Sequence, residues 1–103
     1  MKYGLQDEDL EYIITAIARF PEIRQAVIFG SRAKGNYKPG SDVDIAVIGE
    51  NVSLHAIASL HSLLEEEGPL PYLFDIVDYT HTDHGELKEH IDRQGKIIFE
   101  RPE

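Results

Sequence analysis

A small mixed β-sheet of about four strands flanked by helices, an α/β fold, is predicted by three patterns in the chain. Short apolar runs of strand length are separated by segments whose apolar residues recur at helical spacing. Glycine and proline stand at the joins, as in Phe20-Pro21, Pro39-Gly40 and Gly68-Pro69. Helices and strands therefore alternate along 103 residues, the order expected of a sheet covered by helices.

Each element has its own justification. Leu10, Ile13, Ile14, Ile17 and the neighbouring Ala18 line one face of a first helix, and Asp7, Glu8 and Asp9 suit its positive N-terminal end. Ala26-Val27-Ile28-Phe29 reads as a strand at about 25–29, closed by Gly30, with Ser31 placed to cap a short helix. Pro39-Gly40 turns the chain into a second strand at about 43–48. Ser53 is an N-cap candidate for a helix carrying Leu54, Ile57, Leu60, His61 and Leu64 on one side, ending near Gly68-Pro69. A third strand at about 72–78 follows. The stretch from Thr82 to Gln94 reads as a polar helix held by Leu87 and Ile91, with Gly95 as its stop and Lys96-Ile97-Ile98-Phe99 as a last strand. Strand order is not encoded in these patterns.

Composition narrows the function classes. With 42% hydrophobic residues, residues 1–103 read as one compact domain, able to bury roughly two thirds of its unfolded surface. No apolar run approaches the roughly 20 residues of a membrane span, and the N-terminus lacks the apolar core of a signal peptide, so a cytoplasmic protein away from membranes is expected. The absence of cysteine excludes disulfides and thiolate metal sites. Nineteen acidic against ten basic residues give a net charge of -9, the wrong sign for holding long nucleic acid by its phosphates. A basic protein surface suits such a chain better.

The chemistry concentrates in Phe29-Gly30-Ser31-Arg32-Ala33-Lys34-Gly35 and, about ten residues after Ser31, Asp42-Val43-Asp44-Ile45-Ala46-Val47-Ile48. Side chains alternate along a strand, so Asp42 and Asp44 share one face, about 6.8 Å apart. An uncompensated carboxylate in an apolar strand is costly, and two together repel; one or two divalent cations turn that repulsion into ligation by hard oxygens. Gly30 allows close approach of backbone to a ligand, and free N–H groups at the start of a short helix attract phosphate. Arg32, Lys34 and Lys38 add positive charge. The pair therefore reads as a metal site beside an anion site. Gly35 is followed by Asn36-Tyr37, which excludes a Walker loop; two glycines cannot supply the dinucleotide fingerprint, and Ala46 and Ile48 stand where a calcium loop needs ligands or a small turn residue.

This order of a Gly-Ser turn and an Asp-x-Asp pair resembles the DNA polymerase beta-like nucleotidyltransferase superfamily, and most nearly its minimal nucleotidyltransferase (MNT) domains. Gly30-Ser31 matches the family's turn, and Asp42 and Asp44 match its paired metal carboxylates. Asp75 in Leu73-Phe74-Asp75-Ile76-Val77-Asp78 matches a third aspartate on a later strand, and Lys34 falls where the family often has a phosphate-contacting base. The resemblance covers roughly residues 23–79. It implies the polymerase beta-like fold and an enzyme in which Asp42, Asp44 and Asp75 hold two Mg²⁺ ions, with Mn²⁺ as a substitute, while Gly30, Ser31 and Lys34 hold ATP or another nucleoside triphosphate. It further implies an antitoxin of the MntA type that transfers AMP to a protein hydroxyl, a tyrosine of a helical HEPN toxin partner, in a hetero-oligomer. A binding-only antitoxin and transfer to a small molecule such as an aminoglycoside are the alternatives.

Other residues have plainer readings. Asp75 and Asp78 are three apart and so face opposite sides of a strand. Asp75 lies between Phe74 and Ile76, where a charge needs a reason, whereas Asp78 sits at a strand end as a turn former. Arg32 and Lys38 read as solvated surface charges, Glu65-Glu66-Glu67 as a solvated helix end, and His55 and His61 as helix-surface or packing residues. His81, His84 and His90 lack the companions of a zinc site.

Overall fold

A computed structural model describes residues 1–102. Along the chain run α1 (Asp7–Ala18), β1 (Gln25–Phe29), the one-turn α2 (Ser31–Lys34), β2 (Val43–Ile48), α3 (Leu54–Glu65), β3 (Phe74–Asp78), α4 (Gly85–Gln94) and β4 (Lys96–Glu100). The sheet order is β3-β2-β1-β4. β1 is antiparallel to both β2 and β4, while β3 runs parallel to β2, so the sheet is mixed and α3 is the crossover that parallel neighbours require.

Alternation along each strand divides the side chains between two faces. Ala26 and Ile28 of β1, Val43, Ile45 and Val47 of β2, and Phe74 and Ile76 of β3 pack with Ile13 and Ile17 of α1 and Leu60 and Leu64 of α3. Val27, Phe29 and Ala46 point the other way, against Ile91 and Leu87 of α4. The His90 ring of α4 meets Phe29 edge-on, with centroids 6.3 Å apart. Asp44, one residue out of step with Val43 and Ile45, belongs to the α4 face, and so does Asp75. No helix among the described residues is long and apolar enough to cross a membrane.

The strands at 25–29 and 43–48 stand where the apolar runs place them, and the Ser53 hydroxyl caps α3 by accepting from the Ala56 N–H at 3.2 Å. Several expectations are corrected. Ala18 and Leu54 are exposed, so the buried stripes run through Ile13, Ala16 and Ile17 in α1 and Ala56, Leu60 and Leu64 in α3. β3 begins at Phe74 because Tyr72 turns inward to donate its hydroxyl hydrogen to Asp9, 2.9 Å away. α4 begins at Gly85 because Asp78 and Thr82 side chains accept from the His81 and His84 N–H groups, bonds that compete with a helical start. Gly95 does end α4, but with extended backbone; a Cβ there would strike Val27 and the Ile91 carbonyl. Ser31 is the first residue inside α2, and Gly30 occupies the cap position with no side-chain bond.

Ile91 is the buried anchor of α4 on the second face. Ile91→Ala should cost roughly 2–4 kcal/mol in urea denaturation, the range for truncating a buried aliphatic side chain. A loss below about 0.5 kcal/mol would mean that α4 is held by other contacts.

Candidate active site

The carboxylates gather at one end of the sheet because of strand register. Asp44 pairs with Phe29 on β1 and with Asp75 on β3, so Asp44 and Asp75 are lateral neighbours on adjacent strands, about 4.8 Å apart at the backbone. Asp42 precedes β2 and is exposed, as is Asp75; Asp44 between them is half-buried. Burial first, then the charges of Asp75 and Asp42, push the Asp44 carboxyl up to about 6, while the Arg32 guanidinium pulls the other way. Gly30 follows Phe29 directly and closes the remaining side. Its φ of 75° and ψ of -155° lie in a region nearly restricted to glycine, and a Cβ there would collide with Asp44 Oδ2.

Arg32 is not a solvated charge. Its side chain is buried, and its Nε and Nη2 donate to the Ser41 carbonyl at 3.2 and 2.7 Å while Nη1 donates to the Tyr3 carbonyl at 3.0 Å. The guanidinium lies 5.4 Å from the centre of the Tyr37 ring and 5.1 Å from that of Tyr72. Arg32 thus ties the turn after β1 to the backbone just before Asp42. The loop between them reverses with positive φ at Gly35 and Gly40 and closes where the Lys38 N–H donates to Ser41 Oγ at 2.8 Å. Lys34 and Lys38 are exposed, as expected for Lys38. Sequence reasoning missed Arg32, Tyr3, Tyr37 and Tyr72, because nothing local in the sequence pairs an arginine with carbonyls and rings supplied by three other segments.

Asp78 behaves as a turn former: its Oδ1 accepts from the His81 N–H at 3.2 Å and its Oδ2 lies 2.8 Å from His81 Nδ1. Glu65 departs from the expected solvated end, since its carboxylate accepts from the Phe74 N–H at 2.7 Å. A surface depression of about 510 Å³ is lined by Glu22, Arg24, Gly49 and Thr80 at the opposite end of the sheet. At the carboxylate end, Asp42 and Asp75 are open to solvent. Three hard carboxylates, one of them held against its own ionisation, fit a divalent cation in charge and donor type. Among the described residues no three His, Asp or Glu side chains are drawn together closely enough to hold an ion as they stand.

A raised carboxyl pKa has a definite sign in stability. Between about pH 4 and 6 the folded protein holds the Asp44 proton that the unfolded chain has released, so this residue's contribution to stability falls as pH rises and levels off above 6. In chelator, Asp44→Asn should raise the melting midpoint at pH 7.5 by several degrees, the shift produced by about 1 kcal/mol in a domain of this size. It should also flatten the pH 4–6 slope of the thermal melts. An unchanged or lower midpoint would show that Asp44 is already compensated.

The chain is similar to known proteins in sequence and in fold. The chain is 30% identical over 100 residues to the protein adenylyltransferase MntA of Aphanizomenon flos-aquae (strain 2012/KM1/D3), a match spanning 89% of this chain and 67% of that protein. Its fold is similar to a crystal structure of a toxin-antitoxin with AMP-PNP, with TM-score 0.72 and 23% identity over 94% of this chain and 75% of the other. It is similar also to a structure of tri-AMPylated Shewanella oneidensis HEPN toxin in complex with MNT antitoxin, with TM-score 0.71 and 23% identity over 94% and 74% of the two chains. A model of the family described as polymerase beta, nucleotidyltransferase, which generally uses a divalent metal, matches residues 11–103. With the fold, the Gly-Ser turn and the aspartate register in place, the chain belongs to the polymerase beta nucleotidyltransferase family.

Proposed function

We propose that this chain transfers AMP from ATP to a protein hydroxyl, a tyrosine of a helical HEPN-type toxin, and acts in the cytoplasm as the antitoxin of that pair. The observation that carries the reading is Asp44, held between Asp42 and Asp75 with Gly30 pressed against it. The relative named a protein adenylyltransferase supports the reaction, and the structures described with AMP-PNP and with an AMPylated HEPN toxin support the nucleotide and the partner.

The chain's own residues divide the work. Asp42, Asp44 and Asp75 hold Mg²⁺, or Mn²⁺ in its place. Bound there, two such ions supply positive charge that offsets the charge on the entering and leaving oxygens of an in-line displacement. Ser31 and the backbone around Gly30 hold the triphosphate, with Lys34 on the exposed side of α2 facing its charge. Arg32 keeps Ser41, and so Asp42, at a fixed distance from that turn. The acceptor oxygen bonds to the α-phosphorus, the bond to the β-phosphate oxygen breaks, pyrophosphate leaves, and Asp75 takes the hydroxyl proton. With Asp42 and Asp75 exposed, the acceptor protein covers the site from outside and orients its own hydroxyl.

Incubated with ATP, Mg²⁺ and the co-expressed helical partner, the wild-type chain should add AMP units to a partner tyrosine, read by intact-mass and peptide mass spectrometry. Asp44→Asn should lower that transfer on the order of 10³-fold, the scale of losing a preorganised charge-stabilising group. Asp78→Asn should remain near wild type, because its amide oxygen still accepts from the His81 N–H. A partner that stays unmodified yet is fully inhibited, by wild type and Asp44→Asn alike, would replace the enzyme with a binding-only antitoxin.

A further inference from the structure

We propose that His61 and Glu65 of α3 form a clamp on the free edge of β3 that sets the position of Asp75, making both of them positioning residues for the third carboxylate. The inference rests on the role given to Asp75 above. The Leu73 carbonyl accepts from the Val43 N–H and the Tyr79 N–H donates to the Val47 carbonyl, so the odd-numbered residues of this stretch turn their polar groups toward β2. By the two-residue alternation of a strand, Phe74 turns its N–H and carbonyl outward, to the edge of the sheet where no further strand pairs among the described residues.

Both groups are met by side chains. Glu65 Oε2 accepts from the Phe74 N–H at 2.7 Å. His61 Nε2 lies 3.1 Å from the Phe74 carbonyl oxygen and 2.8 Å from Glu65 Oε2, so a hydrogen on Nε2 is shared between the two acceptors. His61 and Glu65 are four apart on one helix face, the spacing that lets two side chains bracket one residue. Together they supply the pair of bonds that a fifth strand would otherwise give. The helix that carries them is fixed, since Leu60 and Leu64, each one residue away, are fully buried.

The consequence falls on Asp75. It follows Phe74 directly, is exposed, and sits on a five-residue strand with a neighbour on one side only. The Phe74 side chain points into the core shared with α3, while Asp75 points to the opposite face, toward Asp44. Holding the Phe74 backbone from the free edge therefore fixes the Asp75 Cα without occupying the face on which its carboxylate works. Edge strands open easily because half of their backbone groups lack a ladder. A catalytic carboxylate placed on one needs such a restraint.

The test compares Glu65→Ala with Glu65→Gln, whose amide oxygen can still accept from the Phe74 N–H. Two quantities are read on folded protein: amide hydrogen exchange at Asp75, and the magnesium concentration giving half-maximal AMP transfer to the partner. Glu65→Ala should speed Asp75 exchange about tenfold, the factor expected for one lost hydrogen bond to a charged group. It should also raise the half-saturating magnesium several-fold and lower kcat. Glu65→Gln should restore both quantities to near wild type. Should Glu65→Ala not fold, His61→Ala keeps the Glu65 bond and should shift both readings in the same direction by less. Unchanged exchange in Glu65→Ala, or faster exchange with unaltered magnesium dependence and kcat, would overturn the proposal. Absence of transfer from the wild type would defeat the proposed function alone, and the Asp75 exchange comparison would then decide the clamp by itself.

Discussion

The buried guanidinium of Arg32 is the interaction on which the carboxylate end of the sheet depends. A charge removed from water costs several kcal/mol unless its hydrogens are taken up; here two carbonyls accept from it and two aromatic rings lie against it, with no direct salt bridge to a carboxylate among the described residues. The Ser41 carbonyl receives two of the bonds. Through them the turn that carries Gly30 and Ser31 is held against the residue that precedes Asp42. Tyr3 brings in the N-terminal segment, where Gly4 is required because a Cβ would meet Tyr37 and the guanidinium itself. A planar fork suits this cradle as an ammonium does not. The same positive charge opposes the rise in the Asp44 pKa.

Around that anchor the site is built against its own electrostatics. Register brings Asp44 beside Asp75, a glycine with a rare backbone conformation keeps the fourth side tight, and the apolar strand withholds water from Asp44. The arrangement stores repulsion that a polycation lacks the shape to relieve but a small divalent ion can. The acidity of the whole chain points the same way. A net charge of -9 disfavours a long nucleic acid and favours a basic protein surface.

Much of this was legible in the sequence, and the limit is physical. The strands at 25–29 and 43–48 were readable because an apolar run between glycines and prolines has few other uses, and Asp44 was readable because a carboxylate inside such a run demands a partner. Alternation showed that Asp75 and Asp78 cannot share a face, and the flanking Phe74 and Ile76 together with the family resemblance selected Asp75; the structure places the two on opposite faces as expected. Arg32 was misread because its acceptors lie elsewhere in the chain; the Tyr3 carbonyl is 29 residues away. Glu65 was misread for a related reason: in a run of three glutamates nothing distinguishes the one whose carboxylate reaches a strand edge nine residues later. Helix starts failed where Asp78 and Thr82 bind local backbone, a competition that apolar periodicity does not record.

Asp42, Asp44 and Asp75 are proposed to recognise a nucleoside triphosphate through a divalent cation. Isothermal titration calorimetry of the purified chain with AMP-PNP, in magnesium and again in chelator, tests that recognition most directly. Binding heat that is present with magnesium and abolished by chelator is the predicted result. Equal affinity in both buffers would mean that the triphosphate is held by the basic residues of the Gly30–Lys38 turn, and would contradict the role assigned to Asp42, Asp44 and Asp75.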